Sequence, residues 1–142
     1  MINFLVAIDG SDNAHRAVEY VIKQAGRYKE PLQLHLLNVQ LPLLSVNVKL
    51  FIKREDLDAY YHDEGTVALK TARERLDAAG IAYVPHIGVG HPGEVIVQYA
   101  VDKDCEQIVM GSRGLGSVAN LVLGSVATNV IHLAHMPVLL VK

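Results

Sequence analysis

Two hydrophobic periodicities take turns along this chain. Short apolar runs fall at residues 3–8, 32–39, 81–89, 107–110 and 137–141, and each but the last is followed by a stretch whose apolar positions recur every three to four residues. Alternation of this kind predicts βαβ units, hence a mostly parallel sheet with helices on its faces. Residues 4–8 are unbroken apolar, as expected of a central strand covered on both sides. That run ends in Asp9-Gly10-Ser11-Asp12, where Ser11 or Asp12 can cap a helix with Ala14, Ala17, Val18, Val21 and Ala25 on one stripe. In the second run Leu32, Leu34 and Leu36 alternate with Gln33 and His35 before Leu37 and Val39 continue it. A long helix is predicted over 54–79, with Leu57, Tyr60, Tyr61, Val67 or Ala68, Ala72 and Leu76 inward and Gly80 at its C-terminal cap. Pro92 then opens a short helix carrying Val95, Ile96, Tyr99 and Ala100. A last helix is predicted near 126–134.

These elements predict a single α/β domain over residues 1–142, a three-layer α/β/α sandwich around a five-stranded, mostly parallel sheet. Two strand orders compete, 2-1-3-4-5 and 3-2-1-4-5. Pro85 lacks the N–H that a central strand would use, which places strand three at an edge and favours the second order. Ligands in such sheets bind beyond the carboxyl ends of the strands where the order reverses, so the chemistry is sought after strands one and four.

Composition narrows the classes. Lys plus Arg number 13 and Asp plus Glu 15, a formal charge of −2, so there is no polycation for nucleic acid or anionic lipid. Hydrophobic residues make up 51%, enough for a core, yet no run reaches the ~18 apolar residues of a membrane span. The single cysteine, Cys105, allows no intramolecular disulfide and no zinc site built on several cysteines, and its acidic neighbours Asp104 and Glu106 mark it as unreactive. A cytoplasmic protein is the expectation.

Glycine and serine concentrate after strand four. Gly111 and Gly114 would let main-chain N–H groups turn toward an anion, and Gly124-Ser125 begins a helix whose first amides favour negative charge. Ser112, Ser117 and Ser125 add hydroxyl donors, and Arg113 is the one cation of the segment. Phosphate is the natural ligand of such a loop, although a tight turn without a ligand satisfies the same residues. The spacing Gly111-x2-Gly114-x9-Gly124-Ser125 resembles, in every interval, the G-x2-G-x9-G-[ST] nucleotide-binding pattern of the universal stress protein family. The likeness extends over 4–11 and 124–141, and so spans essentially the whole chain.

That resemblance implies a Rossmann-like fold of the adenine nucleotide alpha hydrolase kind and an ATP-binding regulator of the stress response. It implies Ala7 and Asp9 beside the adenosine, with the Asp9 carboxylate on ribose hydroxyls or on a divalent ion such as magnesium or manganese. Val39 would lie against adenine and Met110 would border the pocket, while Gly111, Arg113, Gly114, Gly124, Ser125 and Val126 would surround the phosphates. Asp9 and Val39 also have plainer readings, a helix-capping acid and a core residue. Strand five, with Val138, Leu139, Leu140 and Val141, is an uncharged apolar edge, which predicts a homodimer joined there.

Rival readings are weaker. Gly88-Val89-Gly90-His91-Pro92-Gly93 is a literal G-x-G-x-x-G, but it follows strand three, and strand four has no acid at its end. No Gly-Lys pair exists, so an efficient P-loop hydrolase is excluded, while a slow ATPase or phosphoryl-transfer enzyme stays open. His132-x-x-His135 has no third ligand in view, which favours solvated or helix-capping histidines. The apolar stretch 40–52, with Leu41, Leu43, Leu44, Val46 and Leu50, is either a lid or a partner-docking segment.

Overall fold

The strand nearest the N-terminus, β1 (Ile2–Ala7), is the centre of the sheet. On one side it runs parallel to β2 (Leu32–Gln40), Phe4 opposite Leu34, and on the other to β4 (Gln107–Gly111), Phe4 opposite Gln107. Among the described residues β3 (Tyr83–Val89) pairs only with β2, and β5 (Val138–Val141) only with β4, so the order is β3-β2-β1-β4-β5 and these pairings are parallel. Among the described residues the helices are α1 (Asp12–Ala25), α2 (Arg54–Ala79), α3 (Pro92–Asp102) and α4 (Ser125–Leu133). The computed structural model describes residues 1–43, 52–115 and 123–142. Most of the apolar stretch 40–52, together with Ser117, lies outside the described residues.

Both faces of the sheet are packed. Phe4, Val6, Ile8, Leu34 and Leu36 meet Ala17, Val18 and Val21 of α1 and Leu69, Ala72 and Leu76 of α2. On the opposite face Leu5, Ala7, Leu37, Ile108 and Met110 meet Ile96 and Ala100 of α3 and Ala127 and Val130 of α4. Burial on alternate faces explains why the central strand reads as a continuous apolar run. Pro85 does lie in an edge strand, where its missing N–H leaves no neighbour unpaired.

Ser11 caps α1, its Oγ accepting from the Ala14 N–H at 3.2 Å. α2 ends at Gly80, whose φ of +70° is the left-handed conformation glycine adopts without strain. The inward face of α2 differs from the expectation: Tyr61, Gly65, Leu69, Ala72 and Leu76 are buried, whereas Tyr60 and Val67 point to solvent. Gly65 carries no side chain, so the apolar pattern skips a true core position. A Cβ there would lie 2.7 Å from Ile87, and its absence lets α2 press against β3. The literal G-x-G-x-x-G has a similar packing origin. A Cβ at Gly88 would meet Val95 at 2.8 Å, and one at Gly93 would meet Asn129 at 2.7 Å.

Under α3, His35 of β2 and His86 of β3 lie side by side, with His35 Nδ1 and His86 Nε2 2.9 Å apart. Burial, and after it the charge of Lys103, hold His35 below the ordinary imidazole value. Burial, His35 and Lys103 do the same for His86. The folded protein therefore resists protonating two groups that the unfolded chain protonates near 6.5. Stability should fall as pH drops through about 6.5 and level off once the folded pair also titrates. Urea unfolding between pH 7.5 and 5 in chelator-treated buffer measures this. His35→Gln with His86→Gln should flatten that part of the profile, and an equal slope in the double variant would contradict the assignment.

Candidate functional site

The chain leaves β1 toward α1 and β2 on one side, while β4 lies on the other, so the order reverses between β1 and β4. A cleft of about 240 Å³ opens at the carboxyl ends of these strands. Its walls are mostly apolar. Ala7 and Ile8 come from the end of β1, Leu37 and Val39 from β2, and Met110 from β4, with Pro92 and Ile96 of α3 across from them. The polar end is formed by Asp9, by Gly111, Arg113 and Gly114 after β4, and by the N-terminus of α4.

All ten residues singled out in the sequence border this one cleft: Ala7 and Asp9 after β1, Val39 on β2, Met110, Gly111, Arg113 and Gly114 after β4, and Gly124, Ser125 and Val126 at the start of α4. Among the described lining residues Asp9 and Arg113 carry the charges. Ser112 does not join them. It is buried, and its role is carried by its backbone: its N–H donates to the Val141 carbonyl at 2.8 Å, and its carbonyl accepts from the Gly124 N–H at 2.7 Å. The second bond draws the start of α4 back beside the end of β4.

The helix that results has no side-chain cap, because its N-cap residue is Gly124. The first amides of a helix have no carbonyl four residues earlier to donate to. At Ser125, Val126 and Ala127 they sit on residues that line the cleft, where an anion would complete them. Two glycines make this approach possible. A Cβ on Gly111 would lie 2.7 Å from Asn13 Cβ and 2.9 Å from the Asn13 carbonyl carbon, so a side chain here would push α1 away from β4. A Cβ on Gly114 would strike the Asp9 carboxylate.

Asp9 is already engaged. Its Oδ1 accepts from the Ser11 N–H at 2.9 Å and its Oδ2 from the Leu115 N–H at 3.3 Å, so one carboxylate ties the turn after β1 to the loop after β4. The plain reading of Asp9, a turn-stabilising acid, therefore holds together with its position in the cleft. An apolar slot that closes on a carboxylate and a bed of amides suits a ligand with a flat apolar part, hydroxyls and an anionic tail.

A family model described as the universal stress protein family matches residues 1–142. This chain belongs to that family. Among curated relatives it is similar to the universal stress protein YxiE of Bacillus subtilis, 29% identical over 97% of both chains. Among solved universal stress proteins and their kin it is similar to MJ0577 of Methanocaldococcus jannaschii, with a TM-score of 0.84 and 30% identity over 99% of this chain and 95% of that one. It is also similar to the universal stress protein of Archaeoglobus fulgidus solved in complex with dAMP, with a TM-score of 0.68 and 26% identity over 100% of this chain and 98% of that one. The all-parallel 3-2-1-4-5 sheet is thus the sheet of the universal stress protein fold.

What the sequence did not single out in the cleft is most of its apolar lining, Ile8, Ala14, Leu37, Pro92, Ile96, Leu115 and Ala127, whereas Leu41, from the stretch read as a lid or docking segment, also lines it. Leu37 could have been found from Val39, since residues two apart on a strand share a face. The tightness at Gly111 yields a prediction. Gly111→Val should destabilise the protein by about 1–3 kcal/mol through overpacking against Asn13 and Ala14, read as a lower urea midpoint at unchanged slope. A midpoint equal to that of the parent protein would show that α1 does not depend on this contact.

Proposed function

We propose that the cleft binds an adenine nucleotide, ATP with a magnesium or manganese ion in the cell, and that the protein is a nucleotide-dependent regulator in the cytoplasmic stress response. The observation that carries this reading is the uncapped N-terminus of α4 facing an apolar slot at the point where the strand order reverses. In this reading adenine lies between Val39, Met110 and Ile96, and Asp9 exchanges its hold on Leu115 for the ribose hydroxyls. The phosphates rest on the backbone at Gly111 and Gly114 and on the amides of Ser125 and Val126, with Arg113 beside them. The Archaeoglobus fulgidus relative, solved in complex with dAMP, supports an adenine nucleotide as the ligand class.

The residues present fit the tail of such a ligand, since a Cβ at Gly114 would fill the space over Asp9 that the loop leaves open. A bound divalent ion would neutralise phosphate charge, and Asp9 is the carboxylate placed to meet it. A second reading, slow ATP hydrolysis, draws on the presence of Asp9 and Arg113 on the same cleft. No lysine lines the cleft among the described residues, so the charge stabilisation of a P-loop enzyme has no counterpart there.

The edge strand β5 is four residues long, uncharged and half-buried throughout, and Ile131 and Leu133 of α4 are exposed nearby in sequence. We take Val138, Leu139, Leu140 and Val141 to be the homodimer contact, because an apolar edge with unpaired N–H and C=O groups favours pairing with a second copy. Sedimentation should show a dimer that Leu140→Lys converts to monomer, and a concentration-independent monomer in the parent protein would contradict the interface.

Calorimetric titration with ATP and AMP tests the ligand. Both should bind one per chain. Gly114→Val should weaken binding at least tenfold, about 1.4 kcal/mol, while the variant still unfolds cooperatively. Equal affinity in parent and variant would place the nucleotide elsewhere. Release of phosphate from bound ATP within minutes would favour the hydrolytic reading over the regulatory one.

A further inference from the structure

The sheet face under α3 carries a histidine pair that takes no part in the nucleotide cleft. His35 and His86 come from neighbouring strands and are diagonal partners, because the β2–β3 register sets His35 opposite Val84 and Leu37 opposite His86. Their rings lie at 22° with centroids 5.2 Å apart, and His35 Nδ1 stands 2.9 Å from His86 Nε2. Tyr99 of α3 packs against His86 with ring centroids 5.6 Å apart. The charged group acting on both imidazoles is Lys103, at the end of the same helix. Both histidines are only partly buried, so solvent and ions reach them.

We propose that His35 and His86 form a two-point chelate for an imidazole-seeking divalent ion, namely zinc, nickel or copper and not magnesium or calcium, which ties the edge strand β3 to β2. The separation of the two nitrogens is close to what such an ion requires. Two metal–nitrogen bonds of about 2.0–2.1 Å set the nitrogens about 2.9 Å apart at a right angle and about 3.4 Å apart at the tetrahedral angle. The pair already holds its nitrogens at the short end of that range. Only the proton between them has to move, to the other nitrogen of the ring that carries it, so that both facing nitrogens offer a lone pair and both rings stay neutral. An imidazole binds a metal in its neutral form, and burial with the nearby Lys103 charge keeps both rings neutral at pH 7.

The preference among ions follows from donor chemistry. Imidazole nitrogen suits zinc, nickel and copper, whereas magnesium and calcium seek oxygen. Among the described residues no cluster of three or more His, Cys, Asp or Glu forms, so water completes the coordination and the affinity is that of a two-ligand site. Lys103 works against the ion's charge, which distinguishes a chelate at this place from one elsewhere on the protein. The two histidines stand 51 residues apart in the chain and carry no metal-binding spacing, so only the strand register brings them together.

The test uses the full chain, stripped with EDTA, dialysed and free of nucleotide, titrated with zinc chloride alone and, separately, with magnesium chloride. Zinc should bind one per chain and raise the melting temperature, and magnesium should do neither. His35→Gln and His86→Gln should each weaken zinc binding at least tenfold, and Lys103→Ala should tighten it severalfold. In long-range nitrogen–proton spectra of the parent protein, His35 Nδ1 and His86 Nε2 should be the ring nitrogens that shift with zinc, a readout that needs no variant to fold. The proposal is overturned if zinc does not bind at millimolar concentration. It is equally overturned if binding survives both substitutions, or if the shifting nitrogens belong to His15, His62, His91, His132 or His135.

Discussion

The cleft depends on one backbone hydrogen bond. The Gly124 N–H donates to the Ser112 carbonyl at 2.7 Å, closing the long excursion after β4 so that α4 starts where β4 stops. The bond is anchored from the other side, because Ser112 donates to Val141 of β5 at 2.8 Å. With these two bonds made, the unfilled amides of α4 face the carboxyl ends of β1 and β4. Without them the helix dipole and the strand ends would share no common point.

Main-chain donors need close approach, and the glycines supply it. A side chain at 111 would hold α1 off the sheet, and one at 114 would displace Asp9. The Asp9 carboxylate, held by Ser11 and by Leu115, joins the turn after β1 to the loop after β4. Among the described residues Asp9 and Arg113 are the charged groups that line the cleft, so main-chain donors make up most of its polar end. Cys105 adds no chemistry, because burial, with Asp104 behind it, pushes its thiol up to about 11.

Much of this was legible in the residues because the constraints involved leave local marks. The unbroken run 4–8 signalled a strand buried on both faces, Pro85 marked an edge, and the spacing of Gly111, Gly114 and Gly124 marked an anion loop. On α2 the expected face holds at Tyr61, Ala72 and Leu76 and fails at Tyr60 and at Val67, the exposed alternative to Ala68, while the core position Gly65 is visible only as a space Ile87 fills. Ser112 looked like a hydroxyl donor, yet its contribution is main-chain, which no side-chain type announces. The apolar lining at Ile96 is indistinguishable in sequence from ordinary core. The contact of His35 with His86 exists only through strand register, which no local pattern encodes.

The central claim is that main-chain amides at the reversal of strand order grip the anionic tail of an adenine nucleotide. Backbone amide NMR during titration with AMP examines it most directly. The account predicts that the largest shifts fall on Gly111, Arg113, Gly114, Leu115, Ser125, Val126 and Ala127, with slowed exchange at 125–127. Shifts confined to other surfaces, or none at millimolar nucleotide, would contradict it.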